Sequence, residues 1–466
     1  MTTNRSSRRQ FLRRSACAAV GMTALRHTLF DLKRIAAAAP AGAGGDYRAL
    51  VCVFLYGGND GNNLLVPTLP GDHAAYLAAR GPLALPQSSL LPLHLLEPIP
   101  GDSREWGLHP SLPGVHGLFG TGRLALVANV GPLVAPVTRD DFLRGSAAVP
   151  PQLFSHSDQT VHWQTSLPDQ PARTGWGGRV ADLLHAANGD ARISMSISLA
   201  GTNTFQVGDL VTQYQVDPEG AVSLASYVPE REGADAPSAA IRRLLDQAYG
   251  NLFERGYRDI FRRALDNQEL LASALAAAPP FATPFPATDL GLQLQMVARL
   301  ISVRESLGLS RQIFFCAAQG YDTHGGQIEV NPLAGAHAAL LAELDGALAA
   351  FDAAMVELSL AEAVTAFTAS DFGRTYLSNG DGSDHGWGGH HLVLGGAVHG
   401  GRIYGQVPVL AVDGPDDAGK GRWIPTTSVD EYAATLARWF GVAESDLPLV
   451  LPNLGRFDRP DLGFMA

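Results

Sequence analysis

The chain has little cysteine. Three occur in 466 residues, and only Cys52 and Cys316 lie beyond the first 39. Both sit inside apolar, strand-like runs, so a disulfide framework is excluded and two buried thiols are expected. No apolar run approaches the ~20 residues that a spanning helix needs, so no stable membrane span is expected. No internal repeat is visible. Basic residues are also scarce: 34 Lys and Arg stand against 45 Asp and Glu, a net charge of −11. Residues 1–39 hold eight of the basic residues and one of the acidic, so the remainder has 26 against 44, a net charge of −18. Such a surface repels nucleic acid and anionic lipid.

Positive charge is concentrated at the start. Ser7-Arg8-Arg9-Gln10-Phe11-Leu12-Arg13 is followed by a moderately apolar stretch, Ala16 to Leu25, and by Ala36–Ala39 before Pro40. Charged start, apolar middle and small-residue end are the order of a twin-arginine export signal over residues 1–39. The twin-arginine translocase is then a partner during export, and the protein is expected to be periplasmic or secreted. That route carries folded proteins, which agrees with a cofactor inserted before export.

The rest can bury a large core. Apolar runs at Leu50–Tyr56, Leu124–Val130, Ile193–Leu199, Ile313–Ala318, Val364–Thr368 and His391–Val398 read as strands. Most are continuous rather than alternating, as in a sheet buried on both faces. Helical segments are expected at Gly178–Ala187, Ser238–Ala278, Asp289–Ser306, Leu333–Leu358 and Val429–Phe440. The alternation predicts an α/β sandwich with a mostly parallel sheet, spanning about 46–460. Thr204–Val216 reads as a β-excursion, and 200–287 as an insertion or cap.

Carboxylates, imidazoles and glycines alternate on short segments beside those runs. They are Tyr321-Asp322-Thr323-His324-Gly325-Gly326, Ser370-Asp371-Phe372-Gly373-Arg374-Thr375 and Gly382-Ser383-Asp384-His385-Gly386. Asp and His together are ligands of catalytic zinc, manganese or iron. Asp322 and His324 are two apart, so in an extended loop both point the same way. A further carboxylate, Asp60, ends the first strand in Gly57-Gly58-Asn59-Asp60-Gly61, which also reads as a plain turn. Segments after strands converge at the carboxyl edge of an open α/β sheet, where ligands bind. His390 and His391 begin the next strand, and His337 lies within a helix.

Ser155-His156-Ser157-Asp158 precedes a short helical segment. Either serine fits a helix cap. Either also fits a nucleophile beside a cation, which lowers a hydroxyl pKa. Arg179 and Arg374 fit either anion recognition or structural ion pairs.

Taken in order, Gly57-Gly58-Asn59-Asp60-Gly61, Leu108-His109-Pro110, Ser155-His156, Gly175-Trp176-Gly177-Gly178-Arg179, Asp322-Thr323-His324-Gly325, Asp371-Phe372-Gly373-Arg374-Thr375 and Asp384-His385-Gly386 resemble the bacterial domain-of-unknown-function family 1501. Tyr432-Ala433-Ala434-Thr435-Leu436 and Leu451-Pro452-Asn453-Leu454 extend the match toward the carboxyl end. That family is grouped with the alkaline phosphatases and sulfatases. The resemblance implies an alkaline-phosphatase-like, three-layer α/β/α sandwich with a site for two divalent metal ions. It implies that Asp60 and Asp371 share one ion with a serine nucleophile, and that Asp322, His324 and His385 hold the other. The chain departs from the family at Ser157, where an aromatic residue is frequent, and at Asp371, where Glu is frequent.

Two readings result. The first is a metal-dependent hydrolase of small or polymeric phosphate or sulfate esters. In it Ser155 or Ser157 attacks beside His156, and Arg179 or Arg374 orients the anion. The second is a non-catalytic exported protein with the same fold, acting in cell-surface assembly or polymer binding.

Overall fold

The structure, a computed structural model, describes residues 47–222, 224, 227 and 235–466. The expected export signal lies outside the described residues. All six apolar runs expected as strands enter one sheet. Its strands are β1 (Arg48–Leu55), β2 (Leu124–Gly131), β3 (Ser196–Ser198), β4 (Tyr214–Asp217), β5 (Gly220–Ala221), β6 (Arg311–Ala318), β7 (Val364–Ser370), β8 (Gly389–Leu394), β9 (Ile403–Tyr404) and β10 (Thr427–Ser428). The order is β9-β2-β8-β7-β1-β6-β3-β4-β5, with β10 also beside β2. Most pairs are parallel. The exceptions are β8, antiparallel to both neighbours, and the β4–β5 pair.

The longer helices among the described residues are α1 (Pro70–Arg80), α2 (His156–Thr165), α3 (Trp176–Leu184), α4 (Ala236–Asp246), α5 (Leu252–Ala277), α6 (Asp289–Ser302), α7 (Ala336–Glu357) and α8 (Val429–Phe440). Helices α6 and α7 pack together over one face of the sheet, and α2, α3 and α8 cover the other. The protein is thus a three-layer α/β/α sandwich. Continuous apolar strands result from this layering. In β1 every residue after Arg48 is buried, because both faces meet helices. Cys52 and Cys316 lie in the two central strands as free, buried thiols. Helix α8 matches its expected bounds, and Ser428 with Glu431 closes a reciprocal capping box at its start.

Local order differs from the expectation at three places. The helix expected over Ser238–Ala278 is two helices. The chain breaks at Gln247–Asn251, where Gly250 weakens the helix and the Asn251 side chain accepts the Phe253 N–H at 2.8 Å to start α5. The excursion over Thr204–Val216 yields one strand, β4, at the edge of the main sheet. The glycine-rich segment before β8, where no strand was expected, contains a small antiparallel ribbon, Arg374–Ser378 with Ser383–His385.

The register of the central strands places the site. Leu55, Ala318 and Ser370 are level with one another at the carboxyl ends of β1, β6 and β7. The segments after them leave the sheet side by side. Gly57 is what lets them close up. Its φ is +116°, and a Cβ there would lie 2.2 Å from the backbone nitrogen of Asp322.

Candidate metal centre

Three side chains from three separate segments bring ligand atoms within 4.8 Å of one another: His156, Asp322 and His385. Asp322 follows β6, His385 ends the ribbon before β8, and His156 is the first residue of α2. The His156 Nε2 lies 3.3 Å from Asp322 Oδ2, and the His385 Nε2 lies 3.4 Å from Asp322 Oδ1. His324 joins them, with its Nε2 3.2 Å from Asp322 Oδ1 and 2.7 Å from the His385 Nε2.

Two of the imidazoles are oriented from behind. The His156 Nδ1 donates to Asp371 Oδ2 at 2.6 Å, and this hydrogen bond raises the His156 pKa above its ordinary value. Its Nε2 is buried and has no aligned hydrogen-bond partner. The His385 Nδ1 donates to the Phe154 carbonyl at 2.7 Å, so the neutral ring turns the Nε2 lone pair toward Asp322. Burial pushes the His385 pKa down, which favours that neutral form. Phe154 itself has φ +70°, an uncommon conformation for a bulky residue, and its N–H is clasped by the Gln159 side chain at 2.5 Å. The strained residue aims its carbonyl at His385.

Asp322 is fixed by Arg374. The Arg374 Nη1 donates to Asp322 Oδ1 at 2.9 Å and to the Gly57 carbonyl at 2.8 Å, while Nε donates to the Ser383 carbonyl at 3.1 Å. Burial works against the Asp322 carboxylate, but the Arg374 guanidinium outweighs it and keeps the pKa below the usual range.

This donor set fits a divalent cation. Tetrahedral coordination with bonds of ~2.1 Å puts neighbouring ligand atoms about 3.4 Å apart. The three imidazole–Asp322 separations lie between 3.2 and 3.4 Å. The contact between His324 and His385 is tighter, at 2.7 Å, and would have to open for both to hold one cation. Asp371 behind His156 is the carboxylate–imidazole pairing that fixes the tautomer of a metal ligand. Asp371→Asn is expected to weaken metal affinity by about 10- to 100-fold with the fold retained. Titration of the metal-stripped variant with zinc or manganese, followed calorimetrically, measures this.

Several residues take other positions than the sequence implied. Asp60, expected as a metal ligand, is fully buried at the start of a short helix. Its Oδ1 accepts the Asn62 N–H at 3.1 Å, and its Oδ2 is paired with Arg80 and accepts from Gln327 at 2.5 Å. Protein donors therefore occupy this carboxylate. Asp371, expected as a second ligand beside it, places its Oδ2 on His156 and on the Gly57 N–H at 3.1 Å, while its Oδ1 is buried without a hydrogen-bond partner. Where two ions were expected, one such group of converging donors is present among the described residues. His156, expected in a catalytic role, lies in this group of converging donors.

Arg179, expected at the substrate anion, donates instead to the carbonyls of Val450, Thr174 and Thr165. Arg374 is likewise held by Asp322 and backbone carbonyls. Neither guanidinium is left open to a substrate. Lys420 and Arg422 are the cations beside the cluster. Lys420 reaches Asp384 at 3.5 Å, whose Oδ1 lies 3.4 Å from the His324 Nδ1. Arg422 donates to the His385 carbonyl at 2.8 Å and lies over the Phe154 ring. No local motif marks these two.

Ser155 stands at the N-cap of α2 without accepting a backbone N–H there. Its hydroxyl donates to Asp158 Oδ2 at 2.5 Å, and Ser157 donates to the same oxygen at 3.2 Å. Asp158 is thus the shared partner of both candidate serines, a role not expected from the sequence. The Ser-x-x-Asp spacing at a helix start is the signal that could have found it. His337, His390 and His391 are buried away from solvent, with His390 accepting the Asn129 N–H at 3.1 Å.

Among solved structures, the chain is similar to Ps i-CgsB, with 9% identity over 89% of this chain and 78% of that one, at a TM-score of 0.36. It is also similar to the PsFucS1 sulfatase from Pseudoalteromonas sp., with 12% identity over 94% of this chain and 76% of that one, at a TM-score of 0.35. Likenesses of this size carry no argument about the chemistry of this chain. No curated protein matches it. Residues 47–442 match the family described as "Protein of unknown function (DUF1501)", and the chain belongs to that family.

Proposed function

We propose that this chain is an exported, metal-dependent hydrolase of phosphate or sulfate esters, with His156, Asp322, His324 and His385 holding a divalent cation. The observation that carries the metal reading is the His156 Nε2. It is buried, has no aligned hydrogen-bond partner, and is turned onto Asp322 by the bond from Nδ1 to Asp371. A bound cation would supply Lewis-acid stabilisation of the charge that develops on an ester oxygen.

The chain's own groups do the rest. Asp371 and the Phe154 carbonyl keep the protons of His156 and His385 on Nδ1, so both Nε2 atoms face inward. Arg374 keeps Asp322 ionised and in place. Ser155 is the preferred nucleophile over Ser157, because its hydrogen bond to Asp158 is the shorter by far. Asp158 holds the proton of Ser155 Oγ and directs the oxygen's lone pairs away from itself. Lys420 and Arg422 give an anionic substrate its counter-charge beside the cluster.

Elemental analysis of the folded protein, purified without chelator, should find about one equivalent of a divalent metal. The same protein should hydrolyse p-nitrophenyl phosphate or p-nitrophenyl sulfate, lose that activity to a chelator and regain it on metal addition. Protein that stays metal-free after reconstitution overturns the reading and favours the non-catalytic alternative.

A further inference from the structure

Helices α4 and α5 form a hairpin whose outer part is thinly covered. The carboxyl half of α5 is seated on the body, with Leu265, Leu271 and Leu275 buried. The amino half is not. Leu252 is 70% exposed, Phe253 85% and Tyr257 72%, and Leu244 and Ile260 are also mostly in water. Phe253, Tyr257 and Ile260 recur at i, i+4 and i+7, so they form one stripe along α5. A groove of about 460 Å³ runs beside the stripe, lined among others by Ile241, Leu245, Tyr249 and Phe261. Stripe and groove form an apolar face larger than the scattered exposed side chains normal for a soluble monomer.

We propose that this face pairs with the same face of a second copy of the chain. Two features single out that occupant. The face carries a projecting knob, Phe253, on the wall of an apolar groove. A two-fold rotation therefore seats the knob of each copy in the groove of the other, which is the requirement of an isologous interface. The area is also of the right size. The five exposed side chains present roughly 650 Å² per copy, against the ~800 Å² per partner of a standard stable interface. Two hairpins joined in this way make a four-helix bundle, which covers both stripes.

The charges beside the stripe argue against a lipid surface. Arg258 is paired with Asp259 at 2.7 Å, and Arg262 with Asp246 at 2.7 Å. These two guanidiniums are already neutralised, and Glu254 lines the groove itself, so the flank is mixed in sign, where an anionic bilayer selects runs of uncompensated Lys and Arg. This proposal does not depend on the metal cluster or on any catalysis.

Sedimentation velocity and light scattering of the purified protein across about 1–100 μM should show a dimer. Phe253→Glu, at a side chain mostly in water, should raise the dissociation constant at least ~30-fold, as for an interface anchor. Tyr257→Lys should act in the same direction. Both variants should keep the parent's circular dichroism and metal content. A monomeric parent at the highest concentration overturns the proposal, and so does a dimer that survives both substitutions. A monomeric parent that co-sediments with phosphatidylglycerol vesicles through Phe253 would instead assign the face to lipid and also overturn it.

Discussion

Asp322→Ala should yield a folded protein that has lost its metal. The side chain is 45% exposed and reaches the body mainly through Arg374, which keeps three carbonyl contacts without it. Removing it takes away the oxygen ligand that all three imidazoles face. Metal affinity should fall by more than the ~100-fold that a supporting carboxylate commands. Ester hydrolysis should fall at least ~10³-fold, equivalent to about 4 kcal/mol of barrier. Circular dichroism should stay near that of the parent, with some loss in the urea midpoint because the buried Arg374 guanidinium gives up its carboxylate partner. Elemental analysis beside a hydrolysis assay checks this in one preparation. A variant that keeps a full equivalent of metal would remove Asp322 from the ligand set.

Asp60→Ala should behave in the opposite way. Its carboxylate is fully buried against Arg80, whose other donors reach Thr375, Tyr376 and Asn63. Removing one member of a buried ion pair strands the other and costs about 3–5 kcal/mol. That is a large share of the ~5–15 kcal/mol by which a protein is stable. Low soluble yield and a much lower urea midpoint are expected, with metal lost only along with the fold. Asp60→Ala/Arg80→Met should recover part of the stability, because no buried charge is then left unpaired. The pH dependence has a defined sign. Burial would raise the Asp60 pKa, but the Arg80 guanidinium outweighs it and holds the value below the usual carboxylate range. The stabilisation is therefore complete above the unfolded carboxylate pKa and disappears as pH falls through the depressed folded value. Folded, stable Asp60→Ala protein lacking metal would instead identify Asp60 as a ligand.

These two aspartates explain how far the sequence could be read. Both end a buried strand in a glycine-rich turn, and locally they are equivalent. What separates them is Arg80, 20 residues beyond Asp60 on α1, whose approach depends on how that helix packs. His156 is legible as a site residue because Ser-His-Ser at a helix start is unusual. Its role is not, since it depends on Asp371, 215 residues away. Arg179 and Arg374 look like anion binders because a guanidinium beside glycines is common to both uses. Only the backbone carbonyls around them show which applies. The strands are more legible, since runs such as Leu50–Leu55 are apolar on both faces and fit few other places. The break in the α4–α5 hairpin carries local signals, Gly250 and the Asn251 cap, but helix-forming residues stand on both sides of it, so the segment reads as one helix.

The level ends of β1, β6 and β7 set the order in which a nascent chain acquires its chemistry. Gly57 and Asp371 are 314 residues apart in sequence, yet in contact. His385 is the last of the four proposed cation-binding groups to be synthesised. A ribosome that has made the first three hundred residues has therefore made no part of a working centre beyond His156. Capture of an ion by the completed set would report that the sheet has closed, so metal occupancy would serve as a timer for maturation as well as a catalytic asset.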